Sequence, residues 1–401
     1  MPAAASAQSG APALQARAAV VVEASTGDVL YSKNSRQRRS IASATKLMTV
    51  LVALQRTDLD DVFTAANYHA APGESQIGLR PGERMSVRDL LRATLLPSAN
   101  DAAAAIAVGT MGSTKGFVAE MNRRAATLGL RDSHFTTPVG LDDAQNYSSA
   151  RDLAKLAVRL RGYEFFRRTT DLPRATLRSG SRKRTVINRN TLVRNVAAVN
   201  GVKTGHTNRA GYVLVGSARR AGVTVVSVVL GEPSERARNA DSLALLRYGL
   251  NSYAAVTPLP QGRTLGKVAL RYRGGEFVDV VAGATVRRVL RDGVRTSVAV
   301  TGLPQEVDGP LPRATRVGTA TVRAGKEVLA RVPVVTARPV AEAGLGTRLS
   351  DLVSRSQTIL ALVVLLVCSL PLLMLRRRAM HRRRALDAEH RRARRREETP
   401  V

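Results

Sequence analysis

The 401-residue chain has no tryptophan, only 3% aromatic residues and a single cysteine, Cys368. So few aromatics leave base-stacking platforms scarce, which argues against a nucleic-acid partner despite a formal net charge of +31. One cysteine excludes an internal disulfide framework. The five histidines (His69, His134, His206, His381, His390) are scattered and show no metal-ligand spacing, so neither a metal nor another cofactor is expected. The start of the chain lacks both a charged segment and an apolar run. Met1 to Gly10 is small and polar, so residues 1–17 are expected to be disordered, and the true start is expected to lie upstream or to have been processed away. Acidic residues are in deficit throughout. From Arg376 to Val401 there are 11 arginines against Asp387, Glu389, Glu397 and Glu398, a net of +7. The remaining +24 is spread along the chain, largely as isolated arginines, and suits a surface facing an anionic envelope.

What is present is core-forming material, 44% hydrophobic, long enough for about two or three domains. The first long helical pattern starts near Ser43-Ala44-Thr45-Lys46, where Leu47, Met48, Val50, Leu51 and Leu54 give apolar spacing close to the helical period. Lys46 then lies one turn after Ser43 on the same face. A serine hydroxyl is a weak nucleophile until a base takes its proton, and a neutral amine one turn away can do so. Free N–H groups at a helix start can also stabilise an oxyanion. The tetrapeptide alone is far more often a helix cap followed by a surface lysine, since such tetrapeptides arise by accident. Two further motifs come in order: Ser98-Ala99-Asn100 after Leu95-Leu96-Pro97, and Lys203-Thr204-Gly205 far downstream. The set S-x-x-K, S-D-N and K-T-G marks penicillin-binding proteins and class A β-lactamases, with Ala99 here in place of the aspartate.

Longer stretches carry the same likeness. They are Ala42 to Thr49, Leu96 to Ala102, Phe135-Thr136-Thr137-Pro138-Val139-Gly140-Leu141, Gly201 to Thr207 and Ala210 to Val215. Over about residues 18–250 the chain resembles the serine-type D-alanyl-D-alanine carboxypeptidases, low-molecular-weight penicillin-binding proteins of peptidase family S11. The resemblance implies an α+β fold of the β-lactamase/transpeptidase kind, an antiparallel sheet covered by helices, with the catalytic domain at 18–254. It implies that Ser43 is the nucleophile, Lys46 the base, Ser98 a proton relay to the leaving amine, and Asn100 an orienting group. Lys203, Thr204 and Arg238 then suit the substrate's terminal carboxylate, Gly205 permits close backbone approach, and the N–H groups of Ser43 and His206 form the oxyanion hole. Thr207 completes the substrate-binding strand. Lys46 must fall from its reference pKa of about 10.4, through burial beside positive Lys203. The reaction expected is removal of the terminal D-alanine from peptidoglycan stem pentapeptides, with acylation of Ser43 by β-lactams.

Outside that domain the texture changes. Residues 256–340 carry short β-rich runs between Gly, Pro and charged turns, a small all-β domain with a spacer role by analogy. Residues 341–357 read as a linker. Residues 358–375 carry no charge over 18 positions, about 27 Å of helix against a hydrocarbon core of about 30 Å, and Arg376-Arg377-Arg378 follows as a positive-inside flank. This predicts a single-pass C-terminal transmembrane helix, an extracellular enzyme and a basic cytoplasmic tail over 376–401 that touches anionic lipid. Rival readings are a DD-endopeptidase, a transpeptidase or a β-lactamase on the same residues. A catalytically silent, membrane-anchored wall-binding protein is the non-enzyme alternative. No Glu-x-x-x-Asn element lies between Ser98 and Lys203 to position a deacylating water, which disfavours the β-lactamase.

Overall fold

Alternating valines in three well-separated parts of the chain meet in one sheet. In a computed structural model, which describes residues 10–354 and 356–397, the strands are β1 (Ala18–Glu23), β2 (Val29–Lys33), β3 (Val199–Thr207), β4 (Gly211–Arg220) and β5 (Val223–Glu232). They are ordered β2-β1-β5-β4-β3 and every neighbouring pair is antiparallel. The period of two sends successive side chains to opposite faces, and both faces are buried. One carries Val20, Val22, Val213, Val215, Val226 and Val228 into the larger core. That core is completed by α1 (Lys46–Arg56), α2 (Val87–Leu95), α3 (Asn100–Met111), α4 (Thr114–Thr127) and α5 (Ala150–Leu160). The other face sends Val21, Leu214 and Val225 against Leu245, Leu246 and Leu250 of α6 (Glu235–Asn251). Local signals set the helix starts. Ser86 accepts a hydrogen bond from the Asp89 N–H at 3.3 Å, and Ser234 caps α6. Helix α6 therefore begins at Glu235, which puts Arg238 in its first turn.

Residues 10–17 depart from the disorder expected for 1–17. Ala16 is fully buried, and the N–H groups of Gln15 and Ala16 both donate to Asp241 Oδ2, at 2.6 and 3.0 Å. A small side chain and a carboxylate that satisfies two backbone donors hold the segment in place. Residues 1–9 lie outside the described residues.

The chain divides into two compact units, one running to Val256 and taking in Arg288–Val294, the other comprising Thr257–Arg287 and the chain from Arg295. The second unit holds a six-stranded sheet made of β6 (Thr264–Leu270), β7 (Phe277–Ala282), β8 (Thr296–Thr301), β9 (Glu306–Val307), β10 (Arg316–Ala324) and β11 (Glu327–Thr336), in the order β8-β10-β11-β7-β6-β9. Val268, Val278, Val280, Val322 and Val334 form its core. The stretch read as a linker contains a helix, α7 (Leu345–Ser354), and the apolar segment continues without interruption into the basic tail as α8 (Ser356–Glu397). Within α8, Ile359–Ala388 is long and apolar enough to cross a membrane. Pro371 lies inside it, as membrane helices tolerate.

Candidate active site

Ser43 sits on a single 3-10 turn, Ala42–Thr45, that leads directly into α1, whose first residue is Lys46. The turn is tightly confined. A Cβ on Gly205 of β3 would lie 3.0 Å from the Ser43 nitrogen and 3.0 Å from the Ala42 Cβ. A Cβ on Gly140, at φ +81°, would lie 2.2 Å from the Ala42 carbonyl oxygen. Glycine is required at both positions because backbone approaches backbone there.

Lys46 is fully buried, and its Nζ donates to Ser43 Oγ at 3.0 Å, to Asn100 Oδ1 at 2.6 Å and to the Val139 carbonyl at 2.6 Å. Three acceptors match the three N–H bonds of an ammonium. Burial nevertheless lowers its pKa to about 7, with the positive charge of Arg189 helping and Glu74 and Asp101 opposing. Burial as the chief cause agrees with the sequence reading, but the positive charge that assists it is that of Arg189 rather than the Lys203 expected. Lys203 is buried as well, donates from Nζ to the Thr204 carbonyl at 2.9 Å, and is pushed well below the usual lysine range by burial, then by Lys46, Arg189 and Arg238.

Asn100 is the first residue of α3, and its Nδ2 donates to Glu74 Oε2 at 2.6 Å. The same oxygen accepts a hydrogen bond from the Tyr68 hydroxyl. Burial would raise the Glu74 pKa, but the hydrogen bonds from Tyr68, Asn100 and the Ala71 N–H, with the charge of Lys46, outweigh it and hold the carboxyl below its ordinary range. A chain of contacts thus runs from Ser43 through Lys46 and Asn100 to Glu74. Ser98 adopts φ +69°, and its buried Oγ has no hydrogen-bond partner among the described residues.

Ser43, Ser98, Asn100, Thr204, Gly205, His206, Thr207 and Arg238 all line one cavity of about 750 Å³. Lys46 and Lys203 lie behind its wall. Thr207 donates to Asp142 Oδ1 at 2.6 Å, the His206 ring lies 4.1 Å from that of Tyr212, and Arg238 donates to Glu235 at 2.7 Å while covering the Tyr212 ring. Glu74, Arg189 and Asp142 also line the cavity and were not picked out from sequence. Glu74 falls in the Gly- and Pro-containing loop 71–83, where no spacing marks it. Arg189 falls in a polar, arginine-rich stretch, and Asp142 lies just past the family-like stretch Phe135 to Leu141.

The sequence matches the family model described as D-alanyl-D-alanine carboxypeptidase, peptidase S11, over residues 4–234. It is 32% identical over 344 residues to the D-alanyl-D-alanine carboxypeptidase DacF of Bacillus subtilis, covering 83% of this chain and 88% of the relative. Among solved structures, penicillin binding protein 5 from Haemophilus influenzae superposes with a TM-score of 0.60 at 28% identity, over 83% of this chain and 100% of that one. The Streptomyces K15 DD-transpeptidase does so with a TM-score of 0.57 at 35% identity, over 60% of this chain and 99% of its own.

Proposed function

The chain belongs to peptidase family S11, the D-alanyl-D-alanine carboxypeptidases, and from that membership we propose how its residues carry out the reaction. It is a serine-type DD-carboxypeptidase that removes the terminal D-alanine from peptidoglycan stem peptides and is acylated by β-lactams. Ser43 Oγ attacks the carbonyl between the two D-alanines. Its proton passes to Lys46, whose amine is neutral in a large fraction of molecules near pH 7 because burial lowers its pKa to about 7. In that neutral form the hydrogen bond reverses, and the Ser43 hydroxyl donates to Lys46 Nζ.

The backbone N–H groups of Ser43 and His206 receive the oxyanion, a role supported by the close approach of β3 to the Ser43 nitrogen at Gly205. The tetrahedral intermediate collapses, the C–N bond breaks, and Ser98, whose hydroxyl has no competing partner among the described residues, relays a proton to the departing amine. Water then cleaves the ester and returns the proton to Ser43 Oγ. Thr204 and Arg238 hold the terminal carboxylate at the cleft wall, Arg189 adds positive potential, Lys203 supports Thr204 from behind through its carbonyl, and Thr207 braces the strand through Asp142. Asn100 keeps Lys46 aimed, and Glu74 keeps Asn100 aimed.

The observation that carries this reading is the Ser43–Lys46–Asn100 constellation at hydrogen-bonding distance. Its test is labelling by a fluorescent penicillin together with D-alanine release from a pentapeptide, in the wild type and in Ser43→Ala. Both signals are expected in the wild type and neither in the variant; well-folded wild type that does not label would overturn the enzyme reading. The uncharged first part of the helix Ile359–Ala388, up to Leu375, anchors the chain in the membrane, and Arg376-Arg377-Arg378 after it supports a single pass with the tail cytoplasmic and in contact with anionic lipid. Protease added to intact cells is expected to degrade residues before Leu345 and to spare the tail. The opposite pattern would reverse the orientation.

A further inference from the structure

A sheet edge exposes a row of unpaired backbone N–H and C=O groups, and folded chains blunt it with charge, proline, a bulge or a very short strand. The two edges of the β-rich sheet differ in this respect. At one, β9 is two residues long and begins with Glu306. At the other, β8 (Thr296-Ser297-Val298-Ala299-Val300-Thr301) has none of these devices. It pairs with β10 over all six residues without a shift in register. It contains no proline and no charged residue, whereas every other strand of the sheet carries a charge: Lys267 in β6, Asp279 in β7, Glu306 in β9, Arg323 in β10 and Arg331 in β11. Among the described residues β10 is its sole hydrogen-bonded neighbour, so alternate residues of β8 turn their N–H and C=O groups outward without a partner.

The side chains of β8 select a partner. Val298 and Val300 pack half-buried against the valine core, while Ser297, Ala299 and Thr301 are exposed on the outer face. Read backwards, the strand is nearly itself: about Ala299, Val298 mirrors Val300 and Ser297 mirrors Thr301. An antiparallel strand of the same sequence, with its own Ala299 opposite this one, sets valine against valine on the inner face and serine against threonine on the outer. A slip of one residue would set inner side chains against outer ones, and a slip of two would set a valine against Thr296 or Gly302. The matched register also places Arg295 opposite Leu303, so no like charges face each other across the pair.

We propose that β8 is a self-docking edge: a second copy of this chain joins it by antiparallel β8–β8 pairing about a two-fold axis at Ala299, making one sheet continuous across both copies. The mirror symmetry of the strand favours a copy over an unrelated extended peptide. A strand pair of this length buries less than the roughly 1,200 Å² of an interface that is stable in solution. Holding both copies by α8 in one membrane raises their effective concentration and offsets the shortfall. The contact uses no residue of the cleft and stands independently of the catalytic reading.

The test is disulfide cross-linking of the full chain in membranes, with its lone native thiol removed by Cys368→Ser. Directly opposed residues of an antiparallel pair have Cα atoms about 4.5–5.5 Å apart, within disulfide reach. Ala299→Cys is expected to give a covalent dimer on mild oxidation. Ser297→Cys is expected to give about tenfold less, because in the matched register its two copies lie roughly 13 Å apart. Ser297→Cys combined with Thr301→Cys in one chain is expected to restore the dimer, and this pair stands in if thermal unfolding shows Ala299→Cys to be misfolded. Equal cross-linking at Ala299 and Ser297 would mean random collision and would overturn the proposal. So would folded variants that give no dimer, or a covalent product whose mass is not twice that of the chain.

Discussion

The two units of the molecule bury different things. The catalytic unit hides Lys46, Glu83, Asp89, Glu120, Arg184, Lys203, Glu232 and Arg238, whereas in the β-rich unit Thr336 is the one polar residue to reach such burial among the described residues. A buried charge costs several kcal/mol unless hydrogen bonds or an opposite charge compensate it. The β-rich unit avoids that cost with a valine core and contributes no residue to the proposed mechanism. The catalytic unit bears it and compensates locally. Glu83 is brought to about 2, chiefly by Arg184, its partner at 2.8 Å, and Lys46 has three acceptors. The difference teaches where to look for function: at buried charge that is compensated yet still aimed at a cavity.

The contrast can be broken most severely at Ser43. Ser43→Ala is expected to lower D-alanine release by about a thousandfold or more and to abolish penicillin labelling, with Tm little changed, because buried Lys46 keeps its Asn100 and Val139 acceptors. Lys46→Met is expected to abolish acylation too, and also to destabilise the unit, since it leaves Asn100 Oδ1 and the Val139 carbonyl without their donor at a cost of about 1–3 kcal/mol each. Thermal unfolding separates the two variants.

A smaller effect sharpens the same point through pH. The neutral form of Lys46 is the base, so kcat/KM is expected to rise as pH climbs through about 7 and then level off. Stability follows the same direction. With the folded pKa depressed, the unfolded chain binds more protons between about 7 and the ordinary lysine value, and this contribution strengthens as pH rises across that window. Glu74→Gln removes a charge that raises the Lys46 pKa, so the midpoint of the rate profile is expected to move down in pH while kcat falls roughly tenfold from the loosened Asn100. A purely structural role for Glu74 would leave the midpoint in place.

The smallest effect on chemistry belongs to the other unit. Val280→Ala in β7 is expected to cost about 2 kcal/mol of stability through lost burial and a residual cavity. D-alanine release at 25 °C is expected within twofold of wild type. A larger loss of activity would mean that the β-rich unit is not the passive spacer proposed for it.

What the sequence made legible was local. S-x-x-K is a one-turn relation, and the fold keeps it; K-T-G lies on a strand whose alternation is plain. Glu74 and Arg189 were invisible because their meaning comes from chain segments that meet only in the folded unit. Asn100, which connects Lys46 to Glu74, bonds to partners 54 and 26 residues away. The order of residues 10–17 was missed for the same reason, since Asp241, which holds them, is more than 220 positions distant. Helix α7 was read as linker because Gly344 and Gly346 obscure its start. Helix α8 was split in two because the change from apolar to arginine-rich composition is abrupt while the helical hydrogen bonding is continuous.

Lys46 reaches across 54 residues to Asn100 and across 93 to Val139, so the nucleophile is activated only after long loops have closed. Contacts of such sequence separation form late and slowly in folding. A partly folded chain, even one with α1 intact, presents an ordinary serine. Penicillin labelling therefore counts finished molecules: the labelled fraction of a refolding or newly exported population is a clock for the closing of the long-range contacts around Lys46.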